Sequence, residues 1–397
     1  MYPFSTTYAT HGIHYYPAKF IPHVVRYCIQ NYSRGPATRI FDPFAGSGTA
    51  GVEAYLQGLD FTLADINPIL KHLAGVKLLR IDPDKDWQGE LDRGLAAIEK
   101  GNGRFAPSWK TIDYWYPSPV LEELMRRWGN LMGLESPLKP VLVFALLDVS
   151  RLFSWDEDKA PKLFKSKRKT KELQQILNGD WKASMKARLE KKATEYLERV
   201  IEFNRFAGHL SREPEYKVFN GVDVSDPWSF PEISYDLVIT SPPYLQAQEY
   251  LRTSKLDLYW IGYSEEEIKR LTRREIPYKR PPAEWCREYP LIGELASPEG
   301  HNSLVVSYFY YLLKALDLTV KNLSPGGYIC VFLGSPKAQG NEIPIWGAIA
   351  EHFESRGLEP TKVLEDRIAN RKLFRGRKNL NPGGMESEFL VVARKSL

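Results

Sequence analysis

Cysteine is scarce in this chain: three in 397 residues, Cys28, Cys286 and Cys330. They lie far apart and are odd in number. Neither a disulfide framework nor a metal-ligand spacing follows from them, so no metal is expected and a reducing cytoplasm is the expected setting. Long hydrophobic runs are missing too. No stretch approaches the roughly 18 apolar residues of a membrane span, and Met1 to Thr10 has neither a basic start nor an apolar stretch of the signal-peptide kind. Charge of one sign is not in large excess. Lys and Arg number 54 against 49 Asp and Glu, a net +5 with pI about 8.8, which permits a polyanionic partner without requiring one. There is no internal repeat and no low-complexity segment. What remains is an ordinary globular composition, 43% hydrophobic and 26% charged, large enough for one domain with an insertion or for two domains. Aromatics make up 13%, and 22 of them are Tyr. Tyr suits base-stacking surfaces and Tyr-rich cores equally well.

The order of patterns is that of an α/β fold with a mainly parallel sheet. "TRIFDPF" (Thr38–Phe44) reads as a buried strand, "AGSGT" as a turn, "AGVEAYLQG" as a helix and "DFTLADI" (Asp60–Ile66) as the next strand. After Pro68 a helix is expected over "ILKHLAGVKLL". From about Asp84 to Leu210 strand signals vanish, and amphipathic helical stretches predict a helical insertion over 84–210. Strands return at Glu215–Val224, Ser234–Ser241 and Gly326–Pro336, with a helix over "SLVVSYFYYLLKALDLTVKNL" and another over "EIPIWGAIAEHFESRG". "EPTKVLEDRI" and "SEFLVVARK" are expected to close the sheet as two antiparallel strands. The catalytic domain is thus expected over 1–83 and 211–397.

The glycine turn carries the first chemical signal. Gly46 and Gly48 sit between a strand and a helix, where ligands of open parallel sheets bind. We read it as a two-glycine motif, short of the three-glycine dinucleotide fingerprint. It also lacks the Lys of a P-loop, since Thr49-Ala50 follows Gly48. Asp42 beside the turn would repel a pyrophosphate and suit an ammonium group. Asp65, at the end of the next strand, can accept hydrogen bonds from ribose hydroxyls. Together they point to S-adenosylmethionine. The plain alternative is a packing turn with incidental acids.

The second signal is "DLVITSPPYLQAQEY" (Asp236–Tyr250), where an apolar strand stops on Ser241-Pro242-Pro243-Tyr244. Neither proline has an N–H to extend a sheet. With "DPFAGSGT", this "TSPPY" resembles the amino-methyltransferases of nucleic acids, and the Ser-Pro-Pro-Tyr form resembles their N4-cytosine members. The resemblance covers roughly residues 11–83 and 215–395. It implies a Rossmann-like methyltransferase fold, a mainly parallel seven-stranded sheet with a closing antiparallel hairpin. It also implies S-adenosylmethionine as cofactor, with Ser241, Pro242, Pro243 and Tyr244 gripping the target amine. The chemistry suits that role. Acceptors against the two N–H groups, Ser241 Oγ and the Pro242 carbonyl, would offset the charge that develops on a poorly nucleophilic nitrogen. No proline precedes any cysteine, which disfavours the C5-cytosine enzymes and their thiolate.

By the same resemblance, "HGIHYYPAKFIPHVV" (His11–Val25) is similar to the motif at the methionine end of the cofactor, through Tyr16, Lys19 and Phe20; the alternative there is a helix start after Pro17. Asp223, with Val224, is similar to the acid facing the cofactor's adenine. The full expected cofactor set adds Asp42, Phe44, Gly46, Ser47, Gly48, Thr49, Asp65, Ile66, Asn67 and Thr240. "NRKLFRGRKNLNPGG" (Asn370–Gly384), with Arg371, Lys372 and Arg375, fits a base-pocket loop.

Nucleic acid is the expected partner. "KLFKSKRKTK" (Lys162–Lys171) offers Lys165, Lys167, Arg168 and Lys169 to phosphate, or is a solvated loop. DNA enzymes with this motif order usually carry a recognition domain after the catalytic one, and the sequence stops at Leu397. On that ground structured RNA, such as ribosomal RNA, is slightly preferred over DNA. Other readings are an adenine-N6 or guanine-N2 target, a nucleic-acid-binding protein that has lost the chemistry, and a nicotinamide dehydrogenase.

Overall fold

A computed structural model describes residues 5–17, 19–157, 163–245, 250–276, 278–295, 303–335, 337–338, 341–342, 344–367 and 387–397. The chain divides into two compact units. One, the helical unit, comprises Met1–Lys19, Lys71–Ser211 and Glu249–Arg270; the other, the sheet unit, comprises Phe20–Leu70, Arg212–Gln248 and Leu271–Leu397. The helical unit is therefore larger than the 84–210 insertion expected from sequence. It also takes in the N-terminal segment and a stretch after the Ser-Pro-Pro-Tyr turn.

The sheet unit holds a seven-stranded sheet: β1 Ile40–Asp42, β2 Phe61–Asp65, β3 Tyr216–Asn220, β4 Tyr235–Thr240, β5 Leu323–Gly334, β6 Leu358–Arg367 and β7 Ser387–Lys395. Its order is β3-β2-β1-β4-β5-β7-β6. The first five are parallel neighbours, with Ile40 beside Phe61 and Leu237, and Phe41 beside Val238. The strand β7 runs antiparallel to both β5 and β6. This is the mixed, mainly parallel sheet with a closing antiparallel pair that the sequence predicts. The strands β1 and β4 are short and largely buried, apolar but for Asp42, Asp236 and Thr240, as expected of strands covered on both faces. The edge strand β6 is mostly exposed and carries Glu359, Lys362, Glu365, Asp366 and Arg367, charges that block pairing with another chain. The helix Ser303–Asn322 supplies Tyr308, Phe309, Leu312, Leu313 and Leu316 to the core under β4 and β5.

In the helical unit, the expected helices form at Gln88–Lys100, Ser118–Met132, Lys139–Leu152 and Trp181–Ala207. Its core is rich in tryptophan. The rings of Trp128 and Trp260 stack 5.6 Å apart, and each indole N–H is satisfied, by Ser150 Oγ and by the Tyr116 hydroxyl. Among the described residues no helix is long and apolar enough to cross a membrane.

Candidate active site at the carboxyl edge of the sheet

The strands β1 and β4 pair directly and in parallel. Their carboxyl ends therefore deliver the glycine turn and the Ser-Pro-Pro-Tyr turn to the same edge of the sheet, about 5 Å apart in the pairing direction. A side-chain bond ties the two: Thr240 Oγ1 donates to Asp42 Oδ1 at 2.6 Å. Ser241 follows Thr240, and Asp42 opens the glycine turn. The backbone N–H of Phe44 also donates to Asp42, at 3.1 Å.

The turn itself bends through two left-handed glycines, Gly46 at φ +50° and Gly48 at φ +77°. Its N–H groups are largely spoken for. Ala45 donates to the Ala64 carbonyl at 3.0 Å, Gly48 to the Ala45 carbonyl at 2.7 Å, and Gly46 to Asp65 Oδ2 at 2.7 Å. The other Asp65 oxygen accepts from Asn67 N at 2.7 Å. Asn67 is buried, and its Oδ1 accepts from Ile69 N at 3.2 Å, capping the start of the helix Ile69–Lys77. Ser47 and Thr49, also buried, bring their hydroxyls within 3.2 Å of each other. Phe44 and Ile66 are half-buried beside the turn.

The two-glycine reading needs correction. Gly51 stands three places after Gly48, so the run is G-x-G-x-x-G. A Cβ on Gly51 would lie 2.8 Å from the Leu63 and Phe61 side chains, so this glycine lets the helix Thr49–Leu56 press onto β2. Glycine count therefore does not separate this turn from a dinucleotide site. The electrostatics do. Burial pushes the Asp42 carboxyl up to about 7 against the pull of Thr240 and Phe44, and the Asp65 charge adds to the rise. Burial likewise lifts Asp65 to about 6, offset by the Asn67 and Gly46 N–H groups. A cation beside either acid would favour its ionised form, whereas a pyrophosphate would oppose it and would find most of the turn's N–H groups already engaged.

Ser241, Pro243 and Tyr244 are half-buried and Pro242 is buried. The turn is gripped from two sides. The Tyr308 hydroxyl donates to the Pro243 carbonyl at 2.9 Å, and the Tyr244 hydroxyl donates to Glu388 Oε1 at 2.8 Å. Glu388 lies on β7, 4% exposed. These two braces were not read from sequence. Each lies more than 60 residues from its partner, and no local pattern links them.

Asp223 follows β3 and is buried, with Val224 in the core beside it. Its carboxylate is already occupied. Oδ1 accepts from Ser225 N at 3.1 Å and Ser225 Oγ at 2.7 Å, and Oδ2 holds the Lys279 ammonium at 2.5 Å. An adenine amine would have to share this acid with Lys279, a partner the sequence did not reveal.

Other expected contacts have structural duties. Lys19 Nζ donates to the carbonyls of His11 at 3.1 Å and His14 at 2.5 Å, and burial lowers it to about 8. It fastens the N-terminal loop of the helical unit. Tyr16, in the same unit, stacks with Tyr250 at 6.1 Å. Phe20 belongs to the sheet unit, where it stacks on Phe332 of β5 at 5.6 Å. His14, also unassigned from sequence, lies between Asp148 Oδ1 at 2.7 Å and Asp257 Oδ2 at 3.4 Å. Burial pulls it down, but the two carboxylates outweigh that and hold it at about 9.

The basic run is not a row of four free cations. A helix, Lys167–Leu177, begins inside it, capped by Ser166 Oγ, which accepts from Lys169 N. That first turn buries Lys169, 1% exposed, so Lys169 is withdrawn from the expected phosphate contacts. Arg168 is paired with Glu157 and with Glu172. Lys167 is exposed. Lys165 lies 3.7 Å above the Tyr114 ring, itself 55% exposed. Arg371, Lys372 and Arg375, with the rest of the Asn370–Gly384 loop, lie outside the described residues.

No protein-family profile matches the chain. Among curated proteins it is similar to the Type II methyltransferase M.MvaI of Kocuria varians, 25% identical over 280 residues, covering 65% of this chain and 58% of that protein. It is also similar to the Type II methyltransferase M.BsoBI of Geobacillus stearothermophilus, 23% identical over 282 residues, 66% of this chain and 54% of the other. A shorter stretch of 75 residues, 19% of this chain and 14% of the other, is 40% identical to the Type II methyltransferase M.MjaII of Methanocaldococcus jannaschii. The chain thus spans little more than half the length of the first two. A solved rRNA methyltransferase, aviRa of Streptomyces viridochromogenes, aligns over 96% of this chain and 88% of its own at 12% identity, with a TM-score of 0.32, too loose a likeness to bear on function.

Proposed function

We propose that this chain is an S-adenosylmethionine-dependent methyltransferase acting on an exocyclic amine of a nucleobase, cytosine N4 first, in DNA. The observation that carries the reading is the pairing of β1 with β4. It sets a cation-favouring glycine turn beside a braced Ser-Pro-Pro-Tyr turn, with Thr240 bonded to Asp42 between them. The similarity to three proteins named Type II methyltransferases supports the reading.

S-adenosylmethionine, when bound, supplies an electrophilic methyl group on a sulfonium. In this reading Asp42 and Asp65 hold its cationic and hydroxyl-bearing ends, and the backbone of Gly46–Gly48 lets it come close. Ser241 Oγ and the Pro242 carbonyl accept the two N–H bonds of the target amine and turn its lone pair out of conjugation. Because Tyr308 and Glu388 fix the turn from both sides, these acceptors are set before the base arrives, which is where such sites gain their rate. Tyr244 stacks on the base, a contact worth roughly 1–3 kcal/mol. The base must leave its helix to reach the turn.

The expectation of RNA rested on where the sequence stops, and a chain covering 58% of a relative gives that ground no weight. The relatives' Type II name, used for restriction–modification enzymes, favours DNA. Incubation with methyl-labelled S-adenosylmethionine and either DNA or RNA, followed by nucleoside mass spectrometry, should yield N4-methylcytosine from DNA. Label in N6-methyladenine would move the target, label in RNA alone would move the substrate, and no label in either would refute the activity. Ser241→Ala and Tyr244→Ala should lower kcat with cofactor affinity nearly intact, whereas Asp65→Ala should weaken the cofactor. An unchanged kcat in Ser241→Ala would remove Ser241 from its role.

A further inference from the structure

Trp228 is 98% exposed, an unusual position for the largest apolar side chain. A single exposed hydrophobic residue is ordinary, but this one is displayed by a rigid turn. Asp226 Oδ1 accepts from Trp228 N at 3.2 Å, and the Asp226 carbonyl accepts from Ser229 N and Phe230 N at 3.1 and 3.0 Å. Phe230 points inward and meets Phe41 of β1 edge-on at 5.9 Å. The same turn therefore anchors one aromatic in the core and holds the other in water.

A basic segment is clipped to that turn. Arg274 reaches Asp226 at 3.6 Å and Ser229 Oγ at 3.4 Å, and Lys279 reaches Asp223 at 2.5 Å. Arg273 and Arg280, both exposed, are the chain neighbours of these two anchors, Arg273 next to the residue that touches the Trp228 turn and Arg280 next to the one that reaches Asp223 before it. Neither has a carboxylate partner among the described residues. The turn belongs to the connection that leaves the carboxyl end of β3, two places from β1 in the sheet, and Ser229 Oγ donates back to the Asp223 carbonyl at 2.8 Å, which keeps it near the edge that carries the candidate site.

We propose that Trp228 with Arg273 and Arg280 forms a DNA-contact surface beside the site. Trp228 stacks on a base left unpaired when its neighbour is extruded, and the two arginines take flanking phosphates. Charge complementarity selects the occupant, because exposed arginines interleaved with a rigid aromatic fit unstacked nucleic acid. The proposal rests on the nucleic-acid reading above.

The test is anisotropy titration of the full chain with a fluorescein-labelled DNA duplex holding one unpaired cytosine. Trp228→Ala should weaken binding about tenfold, with Trp228→Phe recovering most of it. Melting temperature and S-adenosylmethionine affinity should match wild type. Arg273→Gln with Arg280→Gln should reduce the slope of log affinity against log salt by nearly two. Wild-type affinity in Trp228→Ala, or an unchanged slope in the double variant, overturns the proposal. A change of oligomeric state in Trp228→Ala by light scattering also overturns it, by making the surface a protein contact. If DNA binding follows these expectations while no base is methylated, the methyltransferase reading fails and this surface stands.

Discussion

At Asp42 a carboxyl group is closed off from water at the end of β1, and its pKa rises to about 7 for that reason before any other. The folded value lies above the unfolded one, so the native state holds the proton more tightly. Its contribution to stability is complete below about pH 4 and is lost as pH rises through about 7. The ligand-free Asp42→Asn protein should therefore melt higher than wild type near pH 8, with the gap closing toward pH 5, and should lose cofactor affinity. In wild type, affinity for the positively charged cofactor should rise as pH climbs through 7, since the cation prefers the ionised acid. A cofactor affinity flat across that range would separate Asp42 from the ligand. Asp42 and Ser241 stand out in the sequence because each sits directly before a proline where a strand stops, and Asp65 because it ends the strand that follows the glycine turn. Lys169 was misread because a lysine in a basic, polar run looks solvated, and only the packed structure shows it buried; Lys19, expected by resemblance, donates to backbone carbonyls of its own loop.

Elements were legible where their period was long and unbroken. The strands β1 to β7 and the long helices fall where the alternating and 3.6-residue patterns place them. Residues 250–295 were not assigned. Short helices occur there at Tyr250–Thr253, Lys255–Trp260, Glu265–Thr272, Trp285–Glu288 and Leu291–Leu295, and prolines at 277, 281, 282 and 290 cut the pattern into pieces too short to carry a period. The helix Lys167–Leu177 was hidden by its start, since lysines in a first turn oppose the helix dipole. At the junction of helix and sheet, Gly51→Ala should destabilise the fold. The added methyl meets Leu63 and Phe61 at 2.8 Å, an overpacking cost of about 1–3 kcal/mol that exceeds the gain of up to about 1 kcal/mol in helix propensity. Urea unfolding should show a lower midpoint with an unchanged slope. A higher midpoint would mean the helix can lift off β2 without loss.

For the whole molecule, the division into two units changes which residues are candidates for nucleic-acid contact. The helical unit carries Lys165 and Lys167 on a surface with Tyr114, while Arg168 is neutralised by two glutamates. If that unit contacts DNA, Lys165→Gln with Lys167→Gln should flatten the salt dependence of binding by up to about two in log–log slope. Lys169→Ala should leave the slope alone and lower the melting temperature instead. An equal loss of slope from Lys169→Ala would show that the helix opens on binding. The discontinuous composition of both units explains why an insertion over 84–210 falls short of the helical unit, whose central piece, Lys71–Ser211, starts earlier and ends one residue later. Composition changes along the chain, but a unit is defined by what packs together, and Met1–Lys19 and Glu249–Arg270 join from a distance.

The sequence by itself determined the alternation of strands and helices, the glycine turn and the proline-stiffened turn. Each is written in short-range sterics, as the period of apolar residues, the left-handed reach of glycine and the missing N–H of proline. Tertiary structure alone decided what those pieces hold. It placed β1 against β4, bonded Thr240 to Asp42, braced the Ser-Pro-Pro-Tyr turn with Tyr308 and Glu388, gave Asp223 to Lys279 and turned Trp228 out to water. Those contacts join residues far apart in the chain, and burial, which sets their charge states and their freedom to bind, belongs to the packed molecule and to no segment of it.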